Sequence, residues 1–160
     1  MSMNDKSTKN LLNAENLMQL PTYQAGVAQS SAYRTLMKLT DDSVKEYGIT
    51  AMQWFLIGHI YDSGQDGITV TELSKLLDTN MSYITNTLNL LASKNIIVRT
   101  LGQQDTRQKT VTIDPSFNHN IEEIEHMLRA KIQHVLYVDI TPQELLTYIK
   151  VLYKINSAAN

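Results

Sequence analysis

The sequence predicts a mainly α-helical protein with one small β-hairpin, a helix-dominated α+β class. Three observations predict it. A Thr-x-x-Gln or Thr-x-x-Glu pattern occurs at Thr50/Gln53, Thr69/Glu72 and Thr141/Glu144, each time ahead of apolar residues at helical spacing. Such a pair satisfies backbone N–H groups that a helix N-terminus otherwise leaves without partners. Residues 96–113 instead read as two alternating segments around a polar centre, as paired strands do. The three prolines, Pro21, Pro115 and Pro142, fall between the periodic runs or at their starts, where a missing N–H costs least.

The elements follow in order. Residues 1–21 are polar apart from Leu11, Leu12, Leu17, Met18 and Leu20. They read as a short amphipathic helix near 10–19, or as a disordered extension over roughly the first eight residues. Val27, Tyr33, Leu36, Leu39 and Val44 mark a long helix over 23–47, with Gly48 as its stop. Thr50 starts a second helix, stapled by Ile49 and Trp54, that runs to about Asp62. Thr69 starts a short third helix, stapled by Ile68 and Leu73, that runs through Leu77. Asn80 caps a fourth from Met81 to about Lys94, and Asn95, which tolerates positive φ, ends it. The hairpin spans 96–113 with its tip at 102–108, and Asp114-Pro115-Ser116 breaks it. A helix from about 117 to 138 carries Ile121, Ile124, Met127, Leu128, Val135 and Leu136. The last, with Pro142 in its first position, runs to about Asn156 with Leu145, Leu146, Ile149, Leu152 and Ile155 expected inward. Neither a repeat nor a linker interrupts this order, so a single domain over 1–160 is expected.

Composition narrows the function. Hydrophobic residues at 42% and charged residues at 19% are ordinary for a globular chain. No apolar run reaches the length of a membrane span, and the N-terminus lacks a signal peptide's apolar stretch, so a cytoplasmic protein is expected. With no cysteine, disulfides, thiolate catalysis and cysteine-ligated zinc are excluded. GxGxxG, P-loop, HExxH and GxSxG patterns are all absent, so no enzyme and no cofactor is expected. The formal charge is −2, yet residues 71–112 hold five basic and three acidic residues, leaving nine basic and thirteen acidic elsewhere. A middle segment more positive than its flanks is what a local DNA-facing surface needs.

Two short helices joined by a tight turn and followed by a basic hairpin make a winged helix-turn-helix. In the fourth helix, steps of about 100° per residue put Leu88 and Leu91 with Ile84 on one side. Ser82, Asn86, Asn89 and Ser93 fall opposite, with Tyr83 and Thr85 flanking. Ser82, Tyr83, Thr85, Asn86 and Asn89 therefore offer hydroxyls, amides and a phenol suited to base edges and phosphates. They include no Arg or Lys, so positive charge must come from the hairpin. Arg99 sits on its first strand, Arg107 at its tip, Lys109 at the start of its second strand. A tip guanidinium can enter a narrow minor groove, where negative potential concentrates, and Asp105 can orient it.

At this point residues 68–113 resemble the DNA-binding region of MarR-family transcriptional regulators. The resemblance rests on Asp105-Thr106-Arg107 in the wing, on Ser82-Tyr83-Ile84-Thr85-Asn86 in the recognition helix, and on the upstream Ile49–Ile60 stretch with Trp54. It covers roughly residues 23–156. Three departures stand out: Asn86 replaces a usual basic residue, Asn95 a usual glycine, and Ile113-Asp114-Pro115-Ser116-Phe117 the usual Leu-Thr-x-x-Gly. The resemblance implies a homodimer built from helices 23–47 and 117–156 around a lobe at 49–114. It also implies double-stranded DNA with a pseudo-palindromic operator as partner, and a small-molecule effector. Tyr33, Arg34, Tyr47 and Trp54 are pocket candidates, although Trp54 reads first as core. Arg107 reads first as a DNA contact and second as a solvated tip, whereas Lys109 and Arg99 read equally as solvated strand residues. No metal site is expected from His59, His119, His126 and His134, because none of them pair at i, i+4 spacing. Glu122, Glu123 and Glu125 read as a solvated face near a helix N-terminus. The net charge and the missing recognition-helix base leave a protein-binding winged-helix module as the alternative.

Overall fold

The computed structural model describes residues 21–101 and 109–158, with only the backbone described at Leu101 and Lys109. Its elements are α1 (Thr22–Val44), a 3-10 turn (Lys45–Tyr47), α2 (Ala51–Asp62), β1 (Ile68–Thr69), α3 (Val70–Leu76), α4 (Met81–Ser93), β2 (Ile97–Leu101), β3 (Lys109–Ile113), a second 3-10 turn (Pro115–Phe117), α5 (Asn118–Val135) and α6 (Pro142–Ala158). The fold is mainly helical with a small antiparallel wing, as the sequence predicts. Two compact units meet inside α1, at residues 38 and 39. The described part of the first unit is α1 up to Lys38, where Tyr23, Val27 and Tyr33 are exposed. Among the described residues no helix is long and apolar enough to cross a membrane.

In the second unit the helix starts follow the local chemistry. At Thr50 the side chain accepts from Gln53 N while Gln53 Oε1 accepts from Thr50 N at 3.1 Å. Asp41 Oδ1 adds a 2.6 Å bond from Ala51 N, tying the end of α1 to the start of α2. Thr69 and Glu72 repeat the reciprocal arrangement, with Thr69 N donating to Glu72 Oε2 at 2.9 Å. Thr141 and Glu144 do so again at 2.8 Å. Asn80 Oδ1 accepts from Tyr83 N at 2.7 Å and caps α4. Asn95 takes φ +57° and stops it.

The sheet contains a strand that the sequence does not announce. β1 pairs antiparallel with β3, giving the order β1-β3-β2. Two residues are too few to show alternation. The pairing is allowed by Gly67, at φ +70°, whose Cβ would lie 2.9 Å from the Val111 carbonyl oxygen. In the β2–β3 register Val98 faces Thr112 and Thr100 faces Thr110, while Ile97 faces Ile113 and Arg99 faces Val111. Ile97 and Val111 are buried against the core.

That core joins Val44, Leu56, Ile57, Ile60, Leu73, Ile84, Leu88, Leu91, Ile121, Ile124 and Leu128 into one cluster. Two sequence expectations need correction here. α5 ends at Val135 rather than near 138, because both Leu136 N and Tyr137 N bond the Ile132 carbonyl and turn the chain without a glycine. In α6 no residue is buried: Leu145 and Leu152 are half-buried, and Leu146, Ile149 and Ile155 are exposed. α5 closes the lobe core with Ile121, Ile124 and Leu128, so the apolar stripe of α6 stays uncovered within the single chain.

Leu88 is fully buried, so Leu88→Ala is expected to lose about 2–5 kcal/mol of stability in urea unfolding. Acidification has a definite sign. Backbone and side-chain hydrogen bonds from Thr69 hold the Glu72 carboxyl below its ordinary value. The Ser116 hydroxyl and N–H do the same for Asp114, and the Thr141 hydroxyl and N–H for Glu144. Their stabilisation is complete above the ordinary carboxylate range and fades as pH falls through the lowered native values. Helical circular dichroism should therefore fall in that acid window, and Glu72→Gln with Glu144→Gln should flatten the decline.

Candidate nucleic-acid interface and effector cavity

The turn between α3 and α4 is built from Leu77, Asp78 and Thr79. Asp78 takes φ +45°, a left-handed conformation that a short polar side chain tolerates better than most. Ser74 Oγ donates to the Thr79 carbonyl at 2.5 Å, and Thr79 N returns a 3.0 Å bond to the Ser74 carbonyl. This closure fixes where α4 begins.

Rotation of α4 is fixed by its apolar side. Ile84, Leu88 and Leu91 are all 0% exposed, and Thr87 is buried beside them. Ser82, Tyr83, Asn86 and Asn89 are exposed and Thr85 is half-buried. The five recognition-helix candidates thus share the outward side of one helix. Thr87 is a buried hydroxyl that the helical-wheel reading left unplaced.

Arg99 leaves β2 toward that helix. Its Nη2 lies 3.4 Å from the Thr85 carbonyl, a long contact that links the wing to the recognition helix. Lys94, just past α4, donates from Nζ to the Gly48 carbonyl, anchoring the far end of α4 to the turn between α1 and α2. Asp105 and Arg107 lie outside the described residues, and of Lys109 only the backbone, at the start of β3, is described.

The pocket candidates part company. Trp54, 8% exposed, lines a cavity of about 730 Å³ between α2 and α5. Tyr47 is half-buried outside that lining; burial, then a hydrogen bond to Glu123, raises its phenol above the ordinary value. Tyr33 and Arg34 are exposed on α1 and do not line the cavity. The sequence reading did not place Phe55, Tyr61, Asp62, Leu77, Glu122, Glu125 and Arg129 in this cavity. The signal was there in part: Trp54, Gly58 and Tyr61 share one side of α2, as do Phe55, His59 and Asp62. Among the described residues, no group of three or more His, Asp and Glu is arranged to hold a metal ion.

A model of the MarR family matches residues 47–108, which begin at the end of the first 3-10 turn and run past β2. Over those residues the chain is similar to the MarR family. Solved structures resemble it over most of its length. MepR of S. aureus, solved as a DNA complex, is 25% identical, covers 86% of this chain and 98% of its own, with a TM-score of 0.70. A mutant MarR of E. coli complexed with operator DNA is 22% identical, covers 81% and 91%, and has a TM-score of 0.70. CouR of Rhodococcus jostii RHA1, bound to p-coumaroyl-CoA, is 12% identical, covers 81% and 89%, and has a TM-score of 0.72. The last two share the fold alone with this chain.

The positive φ at Asn95 accounts for that departure from the usual glycine. Asn95→Gly should be neutral or slightly stabilising in thermal melts, whereas Asn95→Val should cost roughly 1–2 kcal/mol.

Proposed function

We propose that this chain is a sequence-specific, DNA-binding transcriptional regulator of the MarR type, acting as a homodimeric repressor that a small-molecule effector releases from DNA. The observation that carries the reading is the orientation of α4: its apolar side is wholly buried while Ser82, Tyr83, Asn86 and Asn89 stand exposed. A helix held this way can present hydroxyls and amides to a major groove. The Asp105-Thr106-Arg107 wing motif supplies the cation that α4 lacks, and two of the similar structures were solved with DNA.

The dimer reading is supported by α6. The 17-residue α6 has no buried residue, and Leu145, Ile149 and Leu152 line one side of it half-buried or exposed, an apolar surface that a second copy would bury. Two lobes related by a two-fold axis would address half-sites about one DNA turn apart, roughly 34 Å. The effector reading is supported by Leu77. It lines the α2–α5 cavity and immediately precedes the turn into α4, so a ligand there would touch the joint that positions the recognition helix. Release requires that the ligand prefer one placement of α4 over the other.

Fluorescence anisotropy with DNA from just upstream of the gene, titrated across salt, tests the reading. Log affinity should fall steeply with log salt. Arg107→Ala should reduce that slope by about one. Asn86→Ala should weaken the specific duplex by about 1–3 kcal/mol and leave shuffled duplex nearly unchanged. Ile149→Glu should weaken sedimentation of the dimer and DNA affinity together. Salt-insensitive capture of a protein, with no DNA binding at low salt, would instead establish a protein-binding winged-helix module.

A further inference from the structure

The lining of the α2–α5 cavity carries chemical information beyond its position. Trp54, Phe55 and Tyr61 bring three aromatic side chains to it, and Asp62, Glu122 and Glu125 bring three carboxylates. Arg129 is the one lysine or arginine among the described lining residues. Its Nη2 lies 2.7 Å from Glu125 Oε1 in an i, i+4 ion pair. Even counted as a full positive charge, it offsets only one of the three carboxylates, leaving −2 from the Asp, Glu and Arg side chains of the lining. The volume, about 730 Å³, suits a drug-sized molecule.

We infer that this cavity selects a lipophilic organic cation, an aromatic or aryl-substituted ammonium or phosphonium, and disfavours anions of the same shape. The inference rests on reading the cavity as the effector site. Two effects favour the cation. Aromatic rings attract a cation through their electron-rich faces, and Trp54, Phe55 and Tyr61 all line the cavity. Carboxylates at the rim attract it over several ångströms, and the same charges repel an anionic ligand. Arg129 does not offset this. Its side chain and that of Glu125 are 68% and 50% exposed, so it remains a solvated ion pair rather than a buried anion clamp. The carboxylates converge on the aromatics by tertiary folding. Asp62 ends α2 one residue after Tyr61, and Glu122 and Glu125 come from the first half of α5.

The experiment uses a shape-matched pair, tetraphenylphosphonium and tetraphenylborate, on the full-length protein. Trp54 is the single tryptophan, so its fluorescence reports occupancy directly. Saturable quenching by the phosphonium, at least tenfold tighter than by the borate, is expected from the lining charge. Asp62→Asn with Glu122→Gln should cut that preference by roughly tenfold. Asp62 and Glu122 are exposed, and an unchanged thermal melt would show that the fold is retained. Equal or tighter binding of the borate, a preference unaltered in the double variant, or no saturable quenching by either probe would overturn the cation assignment. Anisotropy with bound DNA separates the two readings. Binding of the phosphonium without DNA release supports the cation site while removing the effector role. DNA release by the borate alone overturns the cation class while keeping an effector reading.

Discussion

The burial of Ile84, Leu88 and Leu91 is the constraint on which the rest depends. These three side chains, wholly removed from solvent, lock the rotation of α4 about its own axis. A rotation by one residue, about 100°, would drive polar side chains into the core and expose leucines. An unpaired buried amide costs a few kcal/mol, so the helix has no low-energy alternative register. The outward array of Ser82, Tyr83, Asn86 and Asn89 is therefore a consequence of packing.

Position along the axis is set separately. Asn80 fixes the first turn of α4, the Ser74–Thr79 pair of bonds closes the preceding turn, and Lys94 ties the last turn to Gly48. Gly48 joins the end of α1 to α2, and Asp41 bonds the first residue of α2. The Asp41 and Lys94 bonds tie the end of α1, the start of α2 and the last turn of α4 together, while the Ser74–Thr79 and Asn80 bonds set the first turn of α4 from α3. The α2–α5 cavity has Leu77 in its lining. A ligand that shifts α2 or Leu77 acts on groups that determine where α4 sits.

Legibility in the sequence followed the range of the interactions. The starts of α2, α3, α4 and α6 depend on side chains within three residues of the backbone they cap, so Thr50, Thr69, Asn80 and Thr141 were readable directly. The inward side of α4 was readable because helical period is local. β1 was not, since its pairing with Val111 and Thr110 spans more than forty residues and requires Gly67 only for close approach. The early end of α5 has no glycine to mark it. The stripe on α6 was readable, but not that its residues stay uncovered in one chain. The cavity was the least legible: Glu122 and Glu125 read as a solvated helix face, and only the fold brings them to Trp54 and Phe55. Tyr47, an aromatic the sequence offers for a pocket, lies outside the lining of this cavity.

The most direct test of the central claim, that two copies of this lobe present α4 to DNA, is a hydroxyl-radical footprint on the DNA upstream of the gene. The account predicts two protected half-sites related by dyad symmetry, with centres about 10 base pairs apart and flanking minor-groove protection that Arg107→Ala removes. A single unsymmetrical patch, or uniform weak protection without a dyad, would contradict it.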